Sequence, residues 1–162
     1  MRILLSALLC FCFVACSSTK NLRPQAITSV EIVEIKPRYI DTESFVRISE
    51  YLTGVEKVGG RVIIRSQPEE RDGYYFTLLL DTNVRELSAG TVFTGEFYTP
   101  FSKTAQTFEF TLPSKRAKTK EVFIGLTGTD WPDPSAVPSA WRITVTNANG
   151  MQLAQKQSFL WE

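Results

Sequence analysis

The sequence predicts an all-β domain, a single sandwich of about eight or nine short strands. Three observations carry that prediction. Apolar and polar side chains alternate with period two along most of the chain, the pattern of half-buried strands rich in aromatic and β-branched residues. Clusters of Gly, Asn, Asp and Pro fall between the alternating runs, where turns are needed. No stretch reads as a long amphipathic helix with caps at both ends.

The elements follow in order. SVEIVEIKPRY (29–39) is the expected first strand, stopping near Pro37. ESFVRISEYLTG (43–54) is assigned to a strand, although Phe45, Ile48 and Leu52 also fit a helical spacing. GRVIIRS (60–66) sets Val62 and Ile64 against Arg61, Ile63 and Arg65. GYYFTLLLD (73–81) places Tyr74, Phe76, Leu78 and Leu80 on one face. TVFTGEFYT (91–99) pairs Phe93 with Phe97 across Gly95. TFEFTL (107–112) turns Phe108, Phe110 and Leu112 inward, and EVFIGLTG (121–128) does so with Val122, Ile124 and Leu126. WRITVTN (141–147) puts Trp141, Ile143 and Val145 on the core side, and MQLAQKQSFLW (151–161) closes the chain. Asn149-Gly150 suits the positive φ values of a tight hairpin between the last two. An immunoglobulin-like Greek key is the expected topology, with a closed barrel as the alternative. The final hairpin looks like the last two strands of many immunoglobulin-like domains.

The start of the chain carries an address. Arg2 precedes an apolar run from Ile3 to Val14, and small Ala15 precedes Cys16. A basic head, a run of this length and a small residue before the cut make a secretory signal. The run falls short of the roughly 20 apolar residues of a membrane span. Phe13-Val14-Ala15-Cys16 resembles the lipobox of bacterial lipoproteins, with Phe13 where Leu is more usual. Cys10 and Cys12 do not follow a small residue. The resemblance implies diacylglycerol on the Cys16 thiol, cleavage before it, and a mature protein held on the membrane by the lipid. Ser17, rather than Asp, after the cysteine implies the outer membrane of a bacterial envelope. The expected division is therefore a signal peptide over 1–15, a lipidated N-terminus and tether over 16–26, and one β-sandwich domain over 27–162.

Composition removes several chemistries. All three cysteines lie within the first 16 residues, so the domain holds no disulfide. There is no histidine, which removes Ser-His-Asp and Cys-His catalysis and His-based zinc sites. Without Arg2 the basic residues number the same as the 17 acids. That balance argues against nucleic acid as a partner. No cofactor is expected.

Two stretches stand out as candidate sites. TGTDWPDPSAVPSAW (127–141) joins two strands and holds two of the three tryptophans. Connections of about a dozen residues are often functional. Pro132 and Pro134 hold Trp131 and Asp133 extended. An indole at Trp131 flanked by Asp130 and Asp133 would suit a sugar ring; the simpler reading is that Trp131 folds back to cap the sandwich. SKRAKTKE (114–121) carries Lys115, Arg116, Lys118 and Lys120, which suit anionic headgroups or a merely solvated turn. Glu69 and Glu70 share one turn and give a glycosidase pair little support. The function this implies is a membrane-anchored, non-enzymatic module that binds or scaffolds an envelope protein or glycan. A carboxylate-dependent glycan hydrolase and an inhibitor of an exogenous hydrolase are the alternatives. The first of these needs two acids converging in a cleft; the second needs a protruding rigid loop.

Overall fold

The computed structural model describes residues 27–161. The expected signal peptide 1–15, Cys16 and the tether to residue 26 lie outside the described residues. Two four-stranded sheets pack face to face, in the orders β1-β3-β6-β2 and β5-β4-β7-β8. The strands are β1 (Ile32–Ile40), β2 (Val62–Arg65), β3 (Gly73–Leu80), β4 (Val92–Tyr98), β5 (Gln106–Thr111), β6 (Glu121–Thr127), β7 (Ala140–Thr146) and β8 (Gln152–Gln157). Both β3–β4 and β6–β7 step from one sheet to the other, and β3 pairs with β6 while β4 pairs with β7. That interlock is the immunoglobulin-like Greek key. The barrel alternative fails because no ladder among the described residues joins the two sheets.

The period-two faces fall where the alternation put them. Phe76, Leu78, Val122, Ile124, Leu126, Phe93, Phe97, Ile143 and Val145 are fully buried between the sheets. Each contributes roughly 1.5–3 kcal/mol of apolar burial.

Three expectations need correction. The first strand does not stop at Pro37 but runs through it to Ile40, with Pro37 opposite Phe76. β1 is an edge strand, where a missing N–H need not break a ladder. Residues 43–54 are not a strand. They form two short helices, α1 (Thr42–Phe45) and α2 (Ile48–Thr53). Cap chemistry decides this: Asp41 accepts from the Ser44 amide at 2.8 Å, Glu50 accepts from the Arg47 amide at 3.3 Å, and Gly54 ends α2 at φ 63°. Finally, β8 ends at Gln157, and Phe159 is fully exposed beyond it.

β1 and β2 both run antiparallel to β3, because β2 lies parallel to β6. The chain must therefore return from the end of β1 to the start of β2. Residues 41–61 make that crossing over the outer face of the first sheet. Phe45 of α1 lands on Ile40, Tyr75 and Phe123 and forms a second, smaller core there. This explains why β3 and β6 are buried on both faces.

The two sides of the sandwich differ. On the β1/β8 side the Val30 amide donates to the Leu153 carbonyl at 3.0 Å. Lys156 on β8 donates from Nζ to the carbonyls of Ile32 and Val33 at 2.8 and 2.7 Å. That side is stitched shut. On the β2/β5 side a groove remains.

Candidate functional site

The loop after β6 is held down by its tryptophan. Trp131 is 3% exposed. Its ring lies 4.8 Å from that of Tyr74 and 5.3 Å, edge-on, from that of Phe101. The platform reading of Trp131 is therefore corrected: a sugar needs an open ring face, and this ring has neighbours instead. Asp133 is exposed, and its Oδ1 accepts from the Ser135 amide and hydroxyl at 2.8 and 2.7 Å. These bonds, the hydroxyl first, hold its carboxyl below the ordinary range. Asp130 is half-buried in the 3-10 turn Gly128–Asp130. The two acids do not flank an exposed indole. Trp141, expected in the core, is only half-buried, edge-on to Phe76 at 5.8 Å.

A charged network that the sequence reading missed lies on the outer face of the first sheet. Arg65 donates to Glu56 at 2.6 and 3.0 Å and to the Tyr75 hydroxyl at 2.9 Å. Tyr75 in turn donates to the Arg71 carbonyl at 2.8 Å. Arg71 pairs with Glu50 at 2.8 Å and lies 3.6 Å from Glu56. Glu50 also accepts from the Lys57 amide at 3.0 Å. The Lys57 bond first, then Arg71 and Arg47, holds the Glu50 carboxyl low against its partial desolvation. The Arg65 bond does the same for Glu56. Burial pushes the Tyr75 hydroxyl up. The network fastens the 41–61 crossing to the sheet. Two carboxylates on shared arginines are poor proton donors at neutral pH, so this pair does not supply the raised acid that glycoside hydrolysis needs. Glu69 and Glu70 are exposed.

The basic stretch divides into two kinds of residue. Arg116 is a brace: its guanidinium donates to the carbonyls of Val84, Leu87, Pro113 and Ser114. Lys120 donates to the Asp81 carbonyl at 2.6 Å. Lys115 and Lys118 are exposed and make no ion pair among the described residues. Lys115 and Arg116 also reach a cleft of about 380 Å³ beside the start of β2. Arg61 and Arg85 complete its cationic lining, and Val58, Val62, Ile63, Pro113 and Ala117 supply an apolar floor. No acid lines it. A second hollow of about 190 Å³, bounded by Ile63, Ile64, Arg65, Pro68, Thr111 and Pro113, continues it along the same strand. The two form one groove along the open side of the sandwich.

No family model matches this chain, and no curated protein matches it. The crystal structure of an immunoglobulin-like protein from Pseudomonas aeruginosa is similar to it at 15% identity, over 82% of this chain and 96% of that one, with a TM-score of 0.32. The strand order described above defines the sandwich independently of that likeness.

Arg61 and Arg85 escaped the sequence reading because they lie 24 residues apart and outside the basic run. Folding places them together. The inverted character of α2 escaped it as well: Glu50 points inward, while Ile48, Tyr51 and Leu52 are each more than 80% exposed. Among the described residues no group of acids gathers as a metal site, and no helix is long and apolar enough to cross a membrane.

Proposed function

We propose that the chain is an envelope lipoprotein, held by a lipid on Cys16 at the outer membrane, whose sandwich is a non-enzymatic binding or scaffolding module for an envelope protein or glycan. One observation carries this reading. The described chain enters the domain at the end that bears the basic loop. The Glu31 amide donates to Asp81 at 3.0 Å, the Asp81 amide returns a bond to the Glu31 carbonyl at 3.0 Å, and Lys120 closes on the Asp81 carbonyl. A tether leading back from this point to Cys16 attaches at the same end as the basic loop.

The tether itself does not fix orientation. Eleven residues reach at most ~40 Å when extended. Orientation comes from Lys115 and Lys118 at the tip of the 112–120 loop, each adding ~1 kcal/mol at most on an anionic surface. Glu31, Asp81, Glu86 and Glu121 share that end and limit the attraction to the tip. The opposite end and the sides then face outward, free for a partner.

The test is fractionation of the full chain in a bacterial host. The wild type should sediment with membranes and resist a high-salt wash. Cys16→Ala should leave the membrane fraction after removal of its signal segment, or stay as the uncleaved form. A Cys16→Ala protein that is cleaved and still resists the wash would overturn the reading.

A further inference from the structure

We propose that the groove along β2 is a strand-addition site, and that its occupant is an extended, acidic peptide segment of a partner protein. The inference rests on the binding-module reading but does not need the lipid.

The backbone of β2 leaves one edge open. The Ser66 amide donates to the Gly125 carbonyl at 2.8 Å, and Arg65 stands opposite Gly125 in a parallel ladder. Alternation then turns the polar groups of Val62 and Ile64 toward β6 and those of Ile63 and Arg65 away from it. The Ile63 and Arg65 amides make no hydrogen bond among the described residues. The Arg61 amide is taken up in a turn by the Val58 carbonyl at 3.3 Å, which marks where the free edge begins. Proteins usually block such edges, and this one blocks two others: β1 carries Pro37 and β8 carries the inward Lys156. Neither device occurs in β2. The Arg65 side chain points to Glu56 and Tyr75, away from the edge.

The groove beside that edge names its occupant. An added strand presents alternate side chains to the sandwich, where the apolar floor over Val62, Ile63 and Pro113 takes them. The rim is cationic without a compensating acid. Arg61 only stacks over Phe123 at 5.9 Å, Arg85 spends one nitrogen on the Arg116 carbonyl, and Lys115 is unpaired. A segment alternating apolar and acidic residues complements both features. β2 is only four residues long, so backbone bonds are few and charge and apolar fit must supply selectivity.

The probe is a blocked decapeptide of alternating valine and glutamate, added to the full chain. Binding is followed by titration and by amide hydrogen exchange at Ile63 and Arg65. The peptide should bind and slow exchange at both amides, with Val62 and Ile64 unchanged. A valine–lysine peptide should fail. The same valine–glutamate peptide methylated on alternate amides should fail too, a control that needs no variant of the protein. Arg61→Glu with Arg85→Glu should weaken binding by about tenfold or more, with the circular dichroism spectrum unchanged. The proposal is overturned if the valine–glutamate peptide does not bind, if the methylated peptide binds as well as the unmethylated one, or if Ile63 and Arg65 stay unprotected. It is also overturned if phosphatidylglycerol vesicles protect these amides and the peptide does not, which would make the groove a lipid site. Failure here with Cys16-dependent membrane retention intact would remove strand addition and leave the anchored-module reading standing.

Discussion

Replacing Trp131 by alanine removes the largest side chain of the loop that closes one end of the sandwich. The ring is 3% exposed, packed on Tyr74 and edge-on to Phe101. Truncating a buried tryptophan costs ~3–5 kcal/mol, because the cavity collapses only in part. That is a large share of the ~5–15 kcal/mol holding a typical domain folded. Among the described residues the buried indole Nε1 has no partner, a defect costing about 1–3 kcal/mol. Alanine and phenylalanine both relieve it, which puts Trp131→Ala at the low end of the ~3–5 kcal/mol range. Trp131→Phe abolishes the defect and gives up roughly 1 kcal/mol of apolar burial, so it should stay within about 1.5 kcal/mol of wild type. Trp141, half-buried, should lose less than Trp131 on truncation. Equilibrium urea denaturation of the three variants measures all of this. A Trp131→Ala loss below about 1 kcal/mol, or a larger loss at Trp141, would refute the cap assignment.

Acid should loosen the outer-face network. Glu50 and Glu56 have folded pKa values held below the ordinary range, so their contribution is present above the unfolded value of about 4.3 and is lost as pH falls through the folded values. Melting temperature followed down from pH 6 should drop, and Glu56→Gln should flatten part of that slope. Tyr75 has a raised pKa, so its contribution is present below about pH 10 and is lost as pH rises beyond it; Tyr75→Phe should lessen the alkaline loss. Gly73→Ala should fail to fold or melt far lower, because a Cβ there overlaps the Leu126 carbonyl oxygen; a normal melt would show that β3 and β6 separate more easily than their ladder implies. With all cysteines in the first 16 residues, thermal unfolding of the domain should be indifferent to reductant, and its far-UV circular dichroism should be that of a β protein.

The inner faces of the strands were legible because one side of each strand meets the core and the other does not. β7 shows it: Ile143 and Val145 are buried while Arg142 and Thr144 are not. The 41–61 crossing was not legible in the same way. Its helices are too short for periodicity to speak, and Asp41, Glu50 and Gly54 set them through caps instead. The burial of the two tryptophans was legible only in part, for a related reason. Trp141 has the right parity but sits at the start of its strand, near the rim. Trp131 has no parity at all and is buried by tertiary contacts with residues 57 and 30 positions away, Tyr74 and Phe101. The basic run gave half of the groove's rim. Arg61 and Arg85 came from other parts of the chain, and only the sheet order joins them.

Mass spectrometry of the protein purified from envelope membranes tests the anchored-module account most directly. The account predicts that the N-terminal peptide begins at Cys16 and carries the mass of diacylglycerol on its thiol, with residues 1–15 gone. An N-terminus elsewhere, or an unmodified Cys16 in the membrane-bound protein, would contradict it.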